Sequence, residues 1–201
     1  MNLRTIVGRA FGLWWDDWVP FIALNAAWLM LQIPIVTGPP ATAAVFAMAR
    51  LTYNGEYWGP REAWAALRAS FWPAWRWGLL NGVIVGVAVT NLLVYRQAAS
   101  PSWQLLRVVW LLTTLAWLSL NLFYWPFWWS QKDQSMRATY SNCGRFVLLH
   151  PGLALSLAGF CLLLTLVSIL TTLPFTAALT GWLALIGTTA VQESIKRQKA
   201  A

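Results

Sequence analysis

Residues 28–44, WLMLQIPIVTGPPATAA, contain the feature around which this chain is built. The segment begins as an apolar helix, meets Pro34 and then Gly38-Pro39-Pro40, and continues in small residues. Proline lacks an amide donor and clashes with the preceding turn, so the helix is predicted to break here. Pro40 fits the first turn of a restarted helix, where its missing amide costs nothing. The segment therefore predicts a broken helical hairpin, whose free backbone groups need protein or water around them.

The composition is typical of an integral membrane protein. Of the 201 residues, 59% are hydrophobic and 10% are charged, whereas about a quarter of the residues in soluble domains are charged. Several apolar runs reach the length of a membrane span, and so small a chain cannot bury them all at once. The net charge of +8 fits attraction to anionic lipid head groups. We therefore expect the lipid bilayer, and not nucleic acid, to be the partner of the basic residues.

The chain is predicted to be a single all-α membrane domain over residues 1–201, a polytopic helix bundle. Its apolar runs define six transmembrane segments, at about 18–36, 40–53, 77–95, 108–129, 151–173 and 175–191. Two amphipathic connectors, 54–76 and 131–150, are predicted to lie at the inner membrane surface. The residues expected to act as structural hinges are Pro34, Gly38, Pro39, Pro40 and Pro174.

The distribution of basic residues predicts the orientation of these segments. With six crossings and an inner N-terminus, every Lys and Arg except Arg96 and Arg107 falls on one side of the membrane. Cytoplasmic loops of membrane proteins carry such an excess of positive charge. We therefore expect a multi-pass protein of the cell membrane with both termini in the cytoplasm.

The ionisable residues give no indication of catalysis. All six acids lie outside the predicted spans or at their ends, at Asp16, Asp17, Glu56, Glu62, Asp133 and Glu193. Ion-coupled transporters and intramembrane metalloenzymes usually keep an ionisable residue at membrane depth. His150, the single histidine, is expected to be an interfacial residue at a helix end. We therefore expect no catalytic residue, no metal site and no cofactor.

Neutral polar residues within the spans allow two interpretations. The first is hydrogen bonding between helices, and the second is a site for an uncharged solute whose sugar rings stack on tryptophan. The candidate ligand-binding residues are Asn25, Trp28, Gln32, Asn81 and Asn121. Asn25 and Gln32 are two helical turns apart, so they share one helix face with Trp28.

Most of the sixteen tryptophans are predicted to form an aromatic belt at the inner membrane boundary. The residues assigned to this belt are Trp14, Trp15, Trp18, Trp72, Trp75, Trp77, Trp125, Trp128 and Trp129. Those within the spans, and so available for stacking on a ligand, are Trp28, Trp110, Trp117 and Trp182.

The hairpin resembles a known family. Asn25, Trp28 and Pro34, followed by Gly38-Pro39-Pro40-Ala41-Thr42-Ala43-Ala44, are similar to the pattern of the YesL-like family of small bacterial integral membrane proteins. Arg137-Ala138 and the segment 146–151 are similar to the second connector of that family. Two departures are His150, where the family tends to have Asn, and Pro40, which lengthens the first motif by one residue.

This resemblance implies a bacterial cytoplasmic membrane protein with a domain of unknown function. Members often lie in gene neighbourhoods with glycoside hydrolases and with carbohydrate importers of the ATP-binding-cassette type. The resemblance therefore implies an accessory role in sugar uptake, with importer subunits as partners. The alternative hypothesis is a transporter or channel for a neutral solute such as an oligosaccharide, with the in-span amides lining its pathway.

Overall fold

The computed structural model describes residues 2–94, 100–172 and 178–200, and within these ranges the chain is helical, without a strand. The nine helices found there are α1 (Leu3–Asp16), α2 (Trp18–Gln32), α3 (Gly38–Asn54), α4 (Pro60–Ala69), α5 (Phe71–Val94), α6 (Pro101–Ser130), α7 (Met136–Leu149), α8 (Pro151–Thr171) and α9 (Leu179–Ala200). The all-α fold class is thereby confirmed. The predicted hinge at Pro174 lies outside the described residues.

The predicted break lies between α2 and α3. α2 ends at Gln32, and α3 begins at Gly38 with Pro39 and Pro40 in its first turn. Prolines are tolerated there because the first amides of a helix have no carbonyl partner within it. Ile35, between the two helices, has a φ angle of 61°, a left-handed conformation that β-branched residues seldom adopt. The broken hairpin is therefore confirmed.

Two helices with many small residues form the centre of the bundle. Every residue from Ala43 to Ala49 in α3 is buried, and so is every residue from Ala184 to Val191 in α9. α3 and α9 contact each other, and both contact α6. Short side chains let the backbones of packed helices approach closely. The segments predicted as the second and sixth spans therefore supply the interior of the bundle, and little of either faces its surroundings.

Three of the described helices are long and apolar enough to cross a membrane: α5 with 24 residues, α6 with 30 and α8 with 21. Many of their Leu and Val side chains are exposed in the isolated chain. Such an extensive apolar surface is favourable against lipid and unfavourable against water. α2 is also apolar but has only 15 residues. The apolar helices thus fit a membrane protein, while the number of six crossings stays a prediction.

Two of these helices begin earlier than the hydrophobic runs suggested. α5 begins at Phe71 and not near residue 77, so α4 is the only separate helix in the first connector. α6 begins at Pro101 and not near residue 108, after an extended Ser100. Pro101 occupies the first turn, where its missing amide costs nothing. Hydrophobicity marks where a helix is apolar, but the helix itself continues into the flanking polar and aromatic residues.

The two predicted connectors contain short amphipathic helices with capped N-termini. In α4 the Glu62 carboxylate accepts a hydrogen bond of 2.8 Å from the Gly59 amide. In α7 the Ser135 hydroxyl accepts one of 3.3 Å from the Ala138 amide. Both bonds satisfy an amide that has no partner within its own helix. The connectors are therefore folded helices, as their amphipathic sequences predicted.

The N-terminal helix is attached to the C-terminal helix. Ile6 and Ala10 of α1 are buried, and α1 packs along α9. Arg9 forms an ion pair with Glu193, and the Tyr53 hydroxyl donates to the same carboxylate at 2.7 Å. Because this ion pair is partly exposed, it contributes at most about 1 kcal/mol. Burial of the apolar stripe of α1 is therefore the main force that holds the two ends of the chain together.

A close contact between α9 and α6 is made at Gly187. A Cβ atom at this position would lie 2.6 Å from the carbonyl oxygen of Leu122 and 3.2 Å from the Pro126 ring. Pro126 has no amide to donate to the Leu122 carbonyl one turn earlier, so that carbonyl lacks its usual partner within α6. α9 packs against this part of α6, and the absence of a side chain at Gly187 makes the approach possible.

We expect Gly187→Ala to lower the free energy of unfolding by about 1–3 kcal/mol, the usual cost of overpacking a well-filled core. The matched control is Gly82→Ala in α5, because nothing lies within 4 Å of its Cβ position and alanine favours the helix. Thermal unfolding of the purified chain in mild detergent measures both variants. An unchanged melting temperature for Gly187→Ala would contradict the close contact.

Candidate functional site

The five residues selected from the sequence lie in two places. Asn25, Trp28 and Gln32 of α2 bond to groups in α2, α3 and α9. Asn81 of α5 and Asn121 of α6 lie at the interface between those two helices.

The first group joins the two halves of the broken hairpin. The Trp28 indole Nε1 donates to the Thr42 hydroxyl at 3.0 Å, and that hydroxyl donates to the Gly38 carbonyl at 3.1 Å. Gln32 Nε2 donates to the Trp28 carbonyl at 3.2 Å. A Cβ atom on Gly38 would lie 2.7 Å from Gln32 Oε1, so a side chain there would displace the amide. These residues hold α2 and α3 together at the break.

Asn25 connects this hairpin to α9. Its Oδ1 atom accepts a hydrogen bond of 3.1 Å from the Thr180 amide, and the Asn25 side chain is buried. The first amides of a helix lack intrahelical partners, and an asparagine oxygen is among their preferred acceptors. Here the acceptor comes from a different helix, so Asn25 sets the position of α9 relative to α2.

α5 contacts the break directly. The Trp75 indole Nε1 donates to the Val36 carbonyl at 2.9 Å. Gly78, one turn further along α5, faces Pro39, whose ring atoms would lie 3.0 and 3.2 Å from a Cβ atom at Gly78. A free carbonyl of the irregular segment is thereby satisfied, and the hinge is packed against a long apolar helix.

The second group is a reciprocal arrangement of two tryptophans and two asparagines. Trp77 Nε1 donates to Asn121 Oδ1, and Trp117 Nε1 donates to Asn81 Oδ1, both at 2.8 Å. Each asparagine amide also donates, at 2.8 Å, to the carbonyl of the tryptophan one turn earlier in its own helix. Both side-chain amides are thus engaged as donor and as acceptor. The arrangement fixes the register of two antiparallel helices.

Tyr140 of α7 joins this arrangement. Its hydroxyl donates to Asn121 Oδ1 at 3.3 Å, and its ring is stacked on Trp117 with centroids 5.2 Å apart. Burial raises the pKa of Tyr140, so the phenol keeps the proton that it donates. The second connector is therefore tied to the α5–α6 pair.

The sequence contains a signal for this arrangement. Trp77-Gly-Leu-Leu-Asn81 and Trp117-Leu-Ser-Leu-Asn121 repeat the same Trp-x-x-x-Asn spacing in successive apolar segments. A spacing of four residues places both side chains on one helix face. Two such faces are complementary when the helices are antiparallel. The repeated spacing is therefore the sequence feature that predicts this pairing.

The aromatic-belt prediction is wrong for Trp125 and Trp128. Trp125 and Trp128 are buried in the bundle core. The Trp125 ring lies 5.5 Å from that of Trp77 in an edge-on arrangement, and Trp128 stacks on Tyr124 at 6.0 Å. Hydropathy cannot distinguish a tryptophan at a membrane surface from one in a core, because both environments accept its large apolar ring.

The reactive side chains are dispersed. Among the described residues no group of three or more His, Cys, Asp or Glu is close enough to hold a metal ion. His150 is exposed and packs against the Phe146 ring, with centroids 5.5 Å apart. Cys143 and Cys161 are both buried. Burial raises the pKa of the Cys143 thiol, so it stays protonated at neutral pH.

Two grooves adjoin the hairpin. One, of about 560 Å³, opens beside the break and is bordered by Gln32, Gly38 and Gly78. The other, of about 400 Å³, lies between α2, α3 and α4 and is lined mainly by apolar side chains. Neither groove is lined by Asn81 or Asn121. Of the five candidate residues, Gln32 lines the first groove and Trp28 lines the second.

In the described part of the chain, six buried side-chain polar atoms have no hydrogen-bond partner, and none of them belongs to the five candidate residues. They are Trp14 Nε1, Tyr124 Oη, Trp125 Nε1, Trp182 Nε1, Thr188 Oγ1 and Thr189 Oγ1. Each such group costs about 1–3 kcal/mol in lost hydration.

The class of protein that these features fit is an all-helical integral membrane protein whose in-span amides bond between helices. Residues 21–92 match the model of a protein family, DUF624, whose description is 'protein of unknown function'. The matched range begins in α2 and extends through the break, α3 and α4 into α5. No match is found among the curated proteins or among the solved structures. The part of the chain that contains the broken hairpin is thus similar to a family of unknown function.

We expect Asn81→Ala and Asn121→Ala each to destabilise the chain more than Asn91→Ala. Asn91 is a matched control on α5, because its amide donates to the Val87 carbonyl of its own helix. Hydrogen bonds between membrane helices contribute about 0.6–2 kcal/mol, and an indole left unpaired adds to the loss. Thermal unfolding in mild detergent measures the three variants. Equal losses at all three positions would rule out a special role for the cross-helix pair.

Proposed function

We propose that this chain is a non-enzymatic integral membrane protein that assists a carbohydrate uptake system in the bacterial cytoplasmic membrane. Its partner in this proposal is a subunit of an ATP-binding-cassette sugar importer. The carbohydrate part rests on the resemblance of residues 25–44 to the YesL-like family. The accessory role rests on how the chain uses its interior polar groups.

The observation that carries the accessory role is the closed pairing of Trp77 with Asn121 and of Trp117 with Asn81. A solute pathway needs polar groups that point into a cavity and can bond the solute. Here the indoles and amides are occupied by one another, and each of these bonds joins two helices. Such pairing suits a bundle that works by presenting a surface to another protein.

The end of α7 offers such a surface. Leu148 is 81% exposed, and its neighbour Leu149 is also exposed. In this proposal the two leucines are part of the surface that contacts the partner protein. In this proposal α7 lies at the inner membrane surface, where it would meet an importer subunit.

A second candidate is a transporter or channel for a neutral solute such as an oligosaccharide. It is favoured by the groove of about 560 Å³ that borders Gln32 beside the break. A broken helix next to an open groove is a common feature of binding sites in secondary transporters. Flux measurements distinguish this candidate from the accessory role.

The orientation proposed is six crossings with both termini in the cytoplasm. We expect Tyr57→Cys, at a position that is 93% exposed, to react with an impermeant maleimide only after the cells are permeabilised. Ser100→Cys, in the opposite loop, is the matched control and should react in intact cells. Background labelling is low because Cys143 and Cys161 are buried. Labelling of Tyr57→Cys in intact cells would refute this topology.

The accessory role predicts that a permease subunit of a sugar importer co-purifies with the tagged chain from native membranes in mild detergent. Leu148→Ser should weaken this co-purification. Leu170→Ser on α8 is the matched control, since the two leucines are 81% and 83% exposed. Deletion of the gene should slow uptake of the corresponding sugar.

Recovery of no importer subunit, together with sugar flux into vesicles that contain this chain alone, would replace the accessory role by the transporter hypothesis.

A further inference from the structure

The groove between α2, α3 and α4 has the form of an elongated apolar channel on the surface of the hairpin. Along α2 its wall includes Val19, Ala23, Ala27 and Leu31, which are spaced four residues apart and share one face. At about 1.5 Å per residue this wall is about 18 Å long. That length is similar to one leaflet of the hydrocarbon core, which is about half of 30 Å.

The lining of the groove fits an apolar occupant. Along α2 and α3 it consists of Val, Pro, Ala and Leu side chains and the Trp28 ring. An extended hydrocarbon chain in this groove therefore needs no hydrogen-bond partner.

One rim of the groove is positively charged. Pro60, Trp64 and Leu67 of α4 line it, and Arg61 and Arg68 follow on the adjacent side of the same helix, one on each side of Trp64 in sequence. Both arginines are exposed, and neither forms an ion pair within the described residues. Trp64 is 55% exposed between them. Two unpaired guanidinium groups and an indole thus border an apolar groove.

The carboxylates near the groove carry negative charge but lie away from its α4 rim. Helical spacing places Glu62 on the face of α4 opposite the residues that line the groove, and its carboxylate accepts a hydrogen bond from the Gly59 amide. Glu56, in the turn before α4, accepts a hydrogen bond from Asn54. Asp16 and Asp17 precede the end of the groove at Val19. Negative charge at that end and positive charge on the α4 rim together direct an anionic group towards Arg61 and Arg68.

We propose that this groove binds one anionic phospholipid, with an acyl chain along α2 and the phosphate at Arg61 and Arg68. Arginine presents several donors in a planar fork that matches phosphate oxygens. Trp64 lies where acyl chain and head group meet, the region that amphipathic indoles prefer. The site is independent of any importer, because its residues and its ligand are present when the chain is alone in a membrane.

The test is native mass spectrometry of the full chain purified in mild detergent and titrated with phosphatidylglycerol. We expect one phosphatidylglycerol molecule to be retained per chain, with phosphatidylcholine of the same acyl chains held at least tenfold more weakly. The double variant Arg61→Gln/Arg68→Gln should weaken phosphatidylglycerol binding about twentyfold, since each basic residue contributes roughly a fivefold change. Ala27→Phe, which fills the groove, should weaken binding as well.

Matched variants keep the result interpretable. Arg137→Gln/Arg145→Gln removes the same charge from exposed positions of α7 and should leave phosphatidylglycerol binding unchanged. Thermal unfolding without added lipid identifies any variant that fails to fold, and Ala63→Phe on the opposite wall then replaces Ala27→Phe. Equal loss in both arginine pairs would overturn the proposal in favour of general charge attraction. Equal retention of phosphatidylcholine, or full binding to correctly folded groove-filled variants, would also overturn it.

Discussion

The break between α2 and α3 imposes the constraint on which the rest of the bundle depends. An irregular segment in apolar surroundings has carbonyl groups that must find donors, because an unpaired group there costs several kcal/mol. One carbonyl in the last turn of α2 and one in the irregular segment accept side-chain donors: Leu31 from the Thr37 hydroxyl at 2.5 Å, and Val36 from the Trp75 indole at 2.9 Å. The second bond comes from α5. The hairpin is therefore completed only when the next long helix is in place.

Tryptophan side chains also donate hydrogen bonds to oxygens elsewhere in the bundle. Indole combines a large apolar surface with one donor, so it packs between helices and still satisfies an oxygen. Trp129 Nε1 donates to the Ala43 carbonyl at 3.0 Å and joins α6 to α3. Trp58 Nε1 donates to the Thr52 hydroxyl at 2.6 Å and closes the turn after α3. The high tryptophan content thus reflects contacts between helices as well as contact with a membrane.

Different regions of the molecular surface suit contact with different surroundings. Exposed Leu and Val side chains on α5, α6 and α8 suit the lipid interior. In the two proposals made above, the apolar groove beside α4 binds a phospholipid whose phosphate lies at Arg61 and Arg68, and Leu148 at the end of α7 contacts a partner protein. A partner protein and a bound lipid therefore need not compete for one surface.

Local sequence was sufficient for the features that depend on local physics. Proline and glycine chemistry predicted the break at Gly38-Pro39-Pro40, and hydropathy predicted apolar helices in the correct order, because both effects act within one or two helical turns. The amphipathic pattern likewise predicted helices in both connectors.

Local patterns could not predict which distant residues form hydrogen bonds with one another. Asn81 and Asn121 were identified as polar residues in apolar helices, but whether they bind a solute or a tryptophan depends on which helices are neighbours. That choice follows from the register and packing of the whole bundle, where contacts between residues far apart in the chain compete for the same few donors and acceptors.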